Sequence, residues 1–403
     1  MTTTSTETMQ LHIPEGINYE CDGCGKCCGG WTVPMTEEDY DRISPVDWGK
    51  HAPQYMGRRL FRPMKKYEME GTPYSYAIME AETGVCPFLV DNLCFIHGKY
   101  GSDFKPSMCQ LFPYCFNETP SGIYTTVSFV SMAVVHNTGK SLEEQRDYLN
   151  KKLGDFRRLY PDHHPNWSQI KLTTGKPVTW DEYLELEKEV LSYIKDKSLP
   201  IDKALLKASA FLCGKLSSNA QVPTGDIPAL KPMDKHLLVN FHKMYFPTGR
   251  LGRGEGDFNP GRFMYQVTFL GPFLRISAGG KSYTFDELKA FSWPDGDKEI
   301  EDLLYRYVYS RMFAKLYFGA GFGQLSIIAG FHHLAMCIAL VKLQAKALAK
   351  ARGANIASYI DVVAAVRMLE KRLGEVALGP YAAAMLELLL FSPGRLRRFL
   401  GNS

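Results

Sequence analysis

The sequence predicts an α+β protein in which an irregular, cysteine-rich metal domain with short strands precedes a mainly α-helical C-terminal region. Three observations carry that prediction. Eight of the ten cysteines fall between Cys21 and Cys115. The same stretch is broken by glycine and proline into short β-type runs. From about Ser141 onward, helix-capping patterns and helical periods take over. The domains read as residues 1–150 for the cysteine cluster and 151–403 for a helical domain with a small β-hairpin near residues 263–285.

Taken in order, the first ten residues form a flexible lead. Residues 19–31 hold four cysteines and Gly23, Gly25, Gly29 and Gly30 with no regular period, as a backbone wrapped around a metal requires. Thr36 and Asp39 read as a capping box opening a short helix. Extended segments are expected at 61–68, 74–79 and 86–97, the last turning at Asp91-Asn92. A hairpin should join 112–116 to 123–130 across Pro120-Ser121-Gly122. Ser141 with Glu144, and Thr179 with Glu182, read as capping boxes before helices. A polar break at 217–232 precedes a helix at 233–245, then a Gly/Arg-rich loop at 249–261. Strands are expected at 263–270 and 273–285, the latter turning at Gly279-Gly280. Helices at 298–318, 324–352, 356–373 and 381–391 complete the chain.

Composition narrows the function. Hydrophobic residues make up 45% and charged residues 22%, as in a folded globular protein. A net charge of +4 is too small to point to nucleic acid. The N-terminus lacks the basic start and apolar run of a secretory signal, and the most apolar later stretch, 318–340, is interrupted by Gln324, His332 and His333. A cytoplasmic protein without a membrane span is the expectation. In that compartment thiols stay reduced, and clustered cysteines bind metal rather than form disulfides.

The metal-ligand candidates are Cys21, Cys24, Cys27, Cys28, Cys86, Cys94, Cys109 and Cys115. The first four run C-x2-C-x2-C-C, a spacing that a glycine-rich loop can turn onto one centre. Adjacent Cys27 and Cys28 point apart, so either two metals or one spare thiol follows. The wider second set lacks the paired C-x2-C of structural zinc sites and suits an iron–sulfur centre better, with zinc as the alternative. Cys213 and Cys337, alone on helical segments, read as core. His97 is placed to hydrogen-bond near the cluster, and His332-His333, adjacent on an apolar helix and so about 100° apart, read as having a core and a capping role rather than sharing a metal.

These residues resemble the YkgJ, or CxxCxxCC, family of zinc- or iron-chelating domains. The resemblance rests on the opening four cysteines, Cys86-Pro87-Phe88-Leu89, Cys94-Phe95-Ile96-His97 and Pro106-x2-Cys109 leading to Phe112-Pro113; Cys115 lies outside that core. More loosely, Trp31, His97-Gly98-Lys99-Tyr100-Gly101 and Tyr305-Arg306-Tyr307 are similar to flagellin lysine-N-methylases. That resemblance implies an iron–sulfur protein, with a 4Fe–4S cluster, that transfers methyl from S-adenosylmethionine to lysine of a protein such as flagellin. The alternative is a non-catalytic module for metal storage, delivery or sensing.

Other features read more plainly. Cys21, Cys24 and Cys27 do not make the C-x3-C-x2-C of a radical S-adenosylmethionine enzyme, and Gly252-x-Gly254-x-Gly256 lacks the preceding strand of a nucleotide-binding turn. Lys342, Lys346 and Lys350 read as a solvated basic stripe or a surface for an acidic partner, as do Arg395, Arg397 and Arg398. Tyr305, Tyr307 and Tyr309 read as packing residues.

Overall fold

A computed structural model describes residues 10–29, 32–69, 71–79, 84–216, 225–247, 274–375, 378 and 380–403. Gly30, Trp31, the 249–261 loop and the expected strand at 263–270 lie outside the described residues. The fold is α+β, with small sheets toward the N-terminus and helices beyond. It divides into two compact units, one of Leu11–Phe116 with Thr125–His164, the other built on Asn117–Tyr124 and Pro165–Ser403. Residue 150 falls inside the helix Arg146–Leu159.

In the cysteine unit, a three-stranded antiparallel sheet places Tyr76–Ile78 between Val33–Met35 and Phe61–Pro63. Its inner side chains join Ile43, Trp48, Tyr55, Phe88 and Ile96 in one apolar core, against which Cys86, Cys94 and Cys109 pack. The Thr36 box forms as expected: the Thr36 hydroxyl accepts from the Asp39 N–H at 3.0 Å and the Asp39 carboxylate from the Thr36 N–H at 3.3 Å, opening the helix Glu37–Ile43. Ser141 and Glu144 make the same exchange, but the turn they open is a 3-10 turn, Glu143–Gln145, that feeds the helix Arg146–Leu159.

Two extended segments are shorter than expected. The 61–68 run is a strand only to Pro63; the Met64 N–H still donates to the Ser75 carbonyl at 2.8 Å, and a helical turn Lys66–Met69 then turns the chain away. Within 86–97 the strands are only Leu89–Val90 and Leu93–Cys94, after which Phe95–Tyr100 is helical. Asp91 and Asn92 have φ of 48° and 64°, the left-handed pair that a two-residue hairpin turn needs. The hairpin Tyr114–Thr119 with Gly122–Val127 is present, and Leu11–His12 adds a third strand beside Gly122–Val127.

The helical unit centres on Ile327–Ala351, against which Ile201–Gly214, Tyr359–Glu375, Pro393–Gly401 and the strand Ile276–Ala278 pack. By length and composition this helix could cross a membrane, and here it is buried. Its two histidines lie in the core: His332 meets the Ser209 hydroxyl at 2.7 Å and His333 the Tyr245 hydroxyl at 2.6 Å. The hairpin turning at Gly279-Gly280 is Ile276–Ala278 with Lys281–Tyr283. The helix expected at 298–318 ends at Phe313.

The basic stripe is not a solvated face. Lys342 is buried and paired with Asp202 at 2.5 Å, and Lys346 is buried and donates to the Leu288 carbonyl at 3.2 Å. Arg395 and Arg398 likewise converge on the fully buried Asp234, at 2.9 and 2.5 Å, docking a helix, Pro393–Gly401, that the sequence pattern did not reveal. Tyr307 and Tyr309 are buried, as packing residues should be.

Candidate metal centre

The first cysteine loop is held by close backbone approach. Gly25 has φ of 69°, and a Cβ there would stand 3.0 Å from the Asn92 Cα, so only glycine lets this loop rest on the Asp91-Asn92 turn. Gly23, at φ of 65°, would set a Cβ 3.0 Å from the tip of the Leu93 side chain, so there the left-handed backbone rather than a backbone clash favours glycine. The Cys28 N–H donates to the Gly25 carbonyl at 3.1 Å, and the Cys86 N–H donates to the Cys28 carbonyl at 2.8 Å. A Gly29–Val85 bridge continues the pairing, so residues 21–29 and 85–94 form one local structure.

Cys109 reaches this site on the short helix Ser107–Leu111. Asp39 fixes that helix. Its carboxylate accepts from the Ser107 N–H and hydroxyl, both at 2.9 Å, while capping its own helix and receiving Arg42 at 2.6 Å. Arg42 in turn donates to the Lys105 carbonyl at 3.1 Å. A capping pair legible in the sequence therefore also positions a distant cysteine, a role that no local pattern around Asp39 announces.

The thiols lie near enough to raise one another's pKa. Burial, reinforced by Cys94 and Cys27, pushes the Cys28 thiol up to about 11. Burial with Cys28 and Cys94 alongside pushes Cys86 up to about 12. Cys109 is raised by burial and by Cys86, Cys94 and Cys28, while Lys105 works against the rise. Cys21 acts on Cys28, and Cys27 on both Cys28 and Cys24. Seven thiols from three chain segments thus form one connected neighbourhood. Lys105, beside Cys28 and Cys109, and Tyr19, beside Cys21 and Cys27, belong to its surroundings and were not singled out by the sequence pattern.

Among the described residues no three His, Cys, Asp or Glu groups already stand at metal-binding geometry. The donor chemistry nevertheless fits a soft metal: sulfur dominates, the thiols are free, and the cost of burying them as thiolates falls away when a cation takes the proton's place. Cys115 sits on Tyr114–Thr119 with its thiol 3.7 Å from the Pro113 carbonyl. His97 is exposed on the helix Phe95–Tyr100. Cys213 and Cys337 are buried in the helical unit, Cys337 with its sulfur 3.8 Å from His333 Nε2.

Comparison with known proteins agrees with this picture over the cysteine segment. Residues 20–129 match the family model CxxCxxCC, described as a "putative zinc- or iron-chelating domain". An uncharacterized protein of Methanocaldococcus jannaschii is 32% identical over 106 residues, which cover 25% of this chain and 30% of that relative. The similarity therefore spans less than a third of the curated relative. No solved structure matches the chain. The segment that matches, residues 20–129, is the one in which the thiols gather, and over it the chain is similar to the CxxCxxCC domains described as zinc- or iron-chelating.

Proposed function

We propose that the cysteine unit holds an iron–sulfur cluster, of the 4Fe–4S type, with Cys28, Cys86, Cys94 and Cys109 as its thiolate shell. The observation that supports this reading is geometric: the Cys86 N–H donates to the Cys28 carbonyl at 2.8 Å, and Cys86, Cys94 and Cys109 pack against one apolar core, with the Cys109 helix fixed by Asp39. Cys21, Cys24 and Cys27 supply further sulfur on the outer loop, enough for a second ion or for exchange. A bound cluster would provide a soft, redox-active centre. Ten cysteines with no disulfide among the described residues support a reducing, cytoplasmic setting.

The wider activity follows from the resemblance to flagellin lysine-N-methylases. On that reading the protein is an S-adenosylmethionine-dependent protein-lysine N-methyltransferase with a flagellin-like substrate, and the helical unit carries donor and substrate surfaces. Purification without oxygen should yield brown protein containing iron and acid-labile sulfide. Stoichiometric zinc without sulfide would reject the cluster. The metal-loaded protein should bind S-adenosylmethionine by calorimetry and transfer labelled methyl to flagellin; if it does neither, the chain is a metal storage, delivery or sensing module.

A further inference from the structure

The thiols of the cysteine unit stand in two settings. Cys86, Cys94 and Cys109 pack against the apolar core that contains Trp48, Phe88 and Ile96. Cys21 is exposed, and Cys24 and Cys27 are half-buried on the same loop, where the Cys24 N–H donates to the exposed Asp22 carboxylate at 3.2 Å.

The loop is anchored on both sides. Ahead of it, the Tyr19 N–H donates to the Lys140 carbonyl at 3.0 Å, and the Gln145 side-chain amide donates to the Tyr19 carbonyl at 2.9 Å. At its far end the Cys28 carbonyl accepts from the Cys86 N–H at 2.8 Å. Between these anchors Gly25 rests on Asn92, in the turn of the hairpin that carries Cys94. Cys28 is therefore where the loop joins the core-packed set, and its thiol lies near Cys94 as well as near Cys27 and Cys21. A divalent cation arrives hydrated, and taking it unpartnered into apolar surroundings is costly. Thiols open to solvent can replace its water one sulfur at a time.

Building on the four-thiol shell assigned above, we propose that Cys21, Cys24 and Cys27 form a capture site for a thiophilic divalent cation, ferrous iron or zinc, which passes through the Cys27-Cys28 pair to Cys86, Cys94 and Cys109. Each step is a ligand exchange with no change of oxidation state. At capture, each thiol releases its proton to water as its sulfur binds the metal. At hand-over, an inner thiol loses its proton and gains a metal–sulfur bond, while one bond to an outer sulfur breaks and that sulfur takes a proton back. Metal held on so short a tether meets the inner thiols at an effective concentration on the order of millimolar, far above micromolar metal in solution.

Rapid mixing of cobalt(II) with an excess of the reduced, metal-free full chain tests this, because sulfur-to-cobalt charge transfer reports the thiolates around the ion. Absorption should rise in two phases, the first faster at higher protein concentration and the second independent of it. A Cys21→Ser/Cys24→Ser variant should reach the wild-type final spectrum at least roughly tenfold more slowly. Cys94→Ser and Cys109→Ser, each checked for fold by circular dichroism, should keep the first phase and lose the wild-type end point. A single phase in wild type, or a wild-type loading rate in the outer variant, overturns the hand-over and leaves the four-thiol shell standing. An outer variant that binds cobalt without ever reaching the wild-type spectrum also overturns it, since Cys21 or Cys24 is then a permanent ligand. A wild-type end point in both inner variants overturns the shell and the hand-over with it.

Discussion

Asp39 carries more of this fold than its place in a capping pattern foretells. Fully buried, it satisfies the start of its own helix and of the helix bearing Cys109, and it receives Arg42. Asp39→Ala removes acceptors from two helix N-termini and strands Arg42, which should cost about 3 kcal/mol, the low end for breaking a buried charged pair. Urea unfolding measures it, and a loss under about 1 kcal/mol would show that the Ser107 cap is dispensable. The cysteines separate by neighbourhood in the same way. Cys86→Ser or Cys109→Ser should lower bound metal sharply, because each faces two or three other thiols, whereas Cys213→Ser should leave metal content intact. Elemental analysis of folded variants decides; equal loss in all three would dissolve the distinction.

At the scale of elements, the helix Pro393–Gly401 shows how two short-range readings can miss a long-range contact. Its arginines looked like a surface charge run, yet Arg395 and Arg398 clasp Asp234 on the helix Pro232–Tyr245. Burial alone would raise the Asp234 carboxyl, but the Arg398 and Arg395 guanidinium groups hold it below the usual range. Asp234→Ala leaves two cations without their partner and should destabilise by about 3 kcal/mol. Asp234→Asn keeps the shape and loses the charge. Thermal melts should place Asn between wild type and Ala, and an Ala variant as stable as wild type would make the clasp incidental. The strand Phe61–Pro63 makes the same point: the extended pattern runs on to residue 68, yet after the Met64 N–H bonds the Ser75 carbonyl the chain turns into the helical turn Lys66–Met69.

At the scale of the whole molecule, the helical core contains three histidines kept neutral by burial: His242 and His332 are held down to about 4 and His333 to about 3. Each lies below its unfolded value of about 6.5, so between these limits the unfolded chain binds protons that the folded chain refuses. Their contribution is therefore intact above pH 6.5 and is lost as the pH falls toward 3. Each unit of depression corresponds to about 1.4 kcal/mol. Urea midpoints of metal-free protein should fall measurably from pH 6.5 to pH 5, a window in which ordinary carboxylates remain charged; a flat profile there would mean that the histidines accept protons without unfolding.

What the sequence determined by itself was chemistry and local geometry. Thiol density, the Thr36, Thr179 and Ser141 caps and the Asp91-Asn92 turn all follow from residues within a few positions of one another, where backbone sterics and side-chain reach suffice. The tertiary structure decided which distant groups meet. That Gly25 rests on Asn92, that Asp39 holds the Cys109 helix, and that Lys342 and Lys346 are buried rather than solvated depend on contacts across tens to hundreds of residues. A lysine every fourth residue has the same pattern whether its helix face meets water or Asp202, because periodicity fixes which residues share a face and only packing fixes what that face touches.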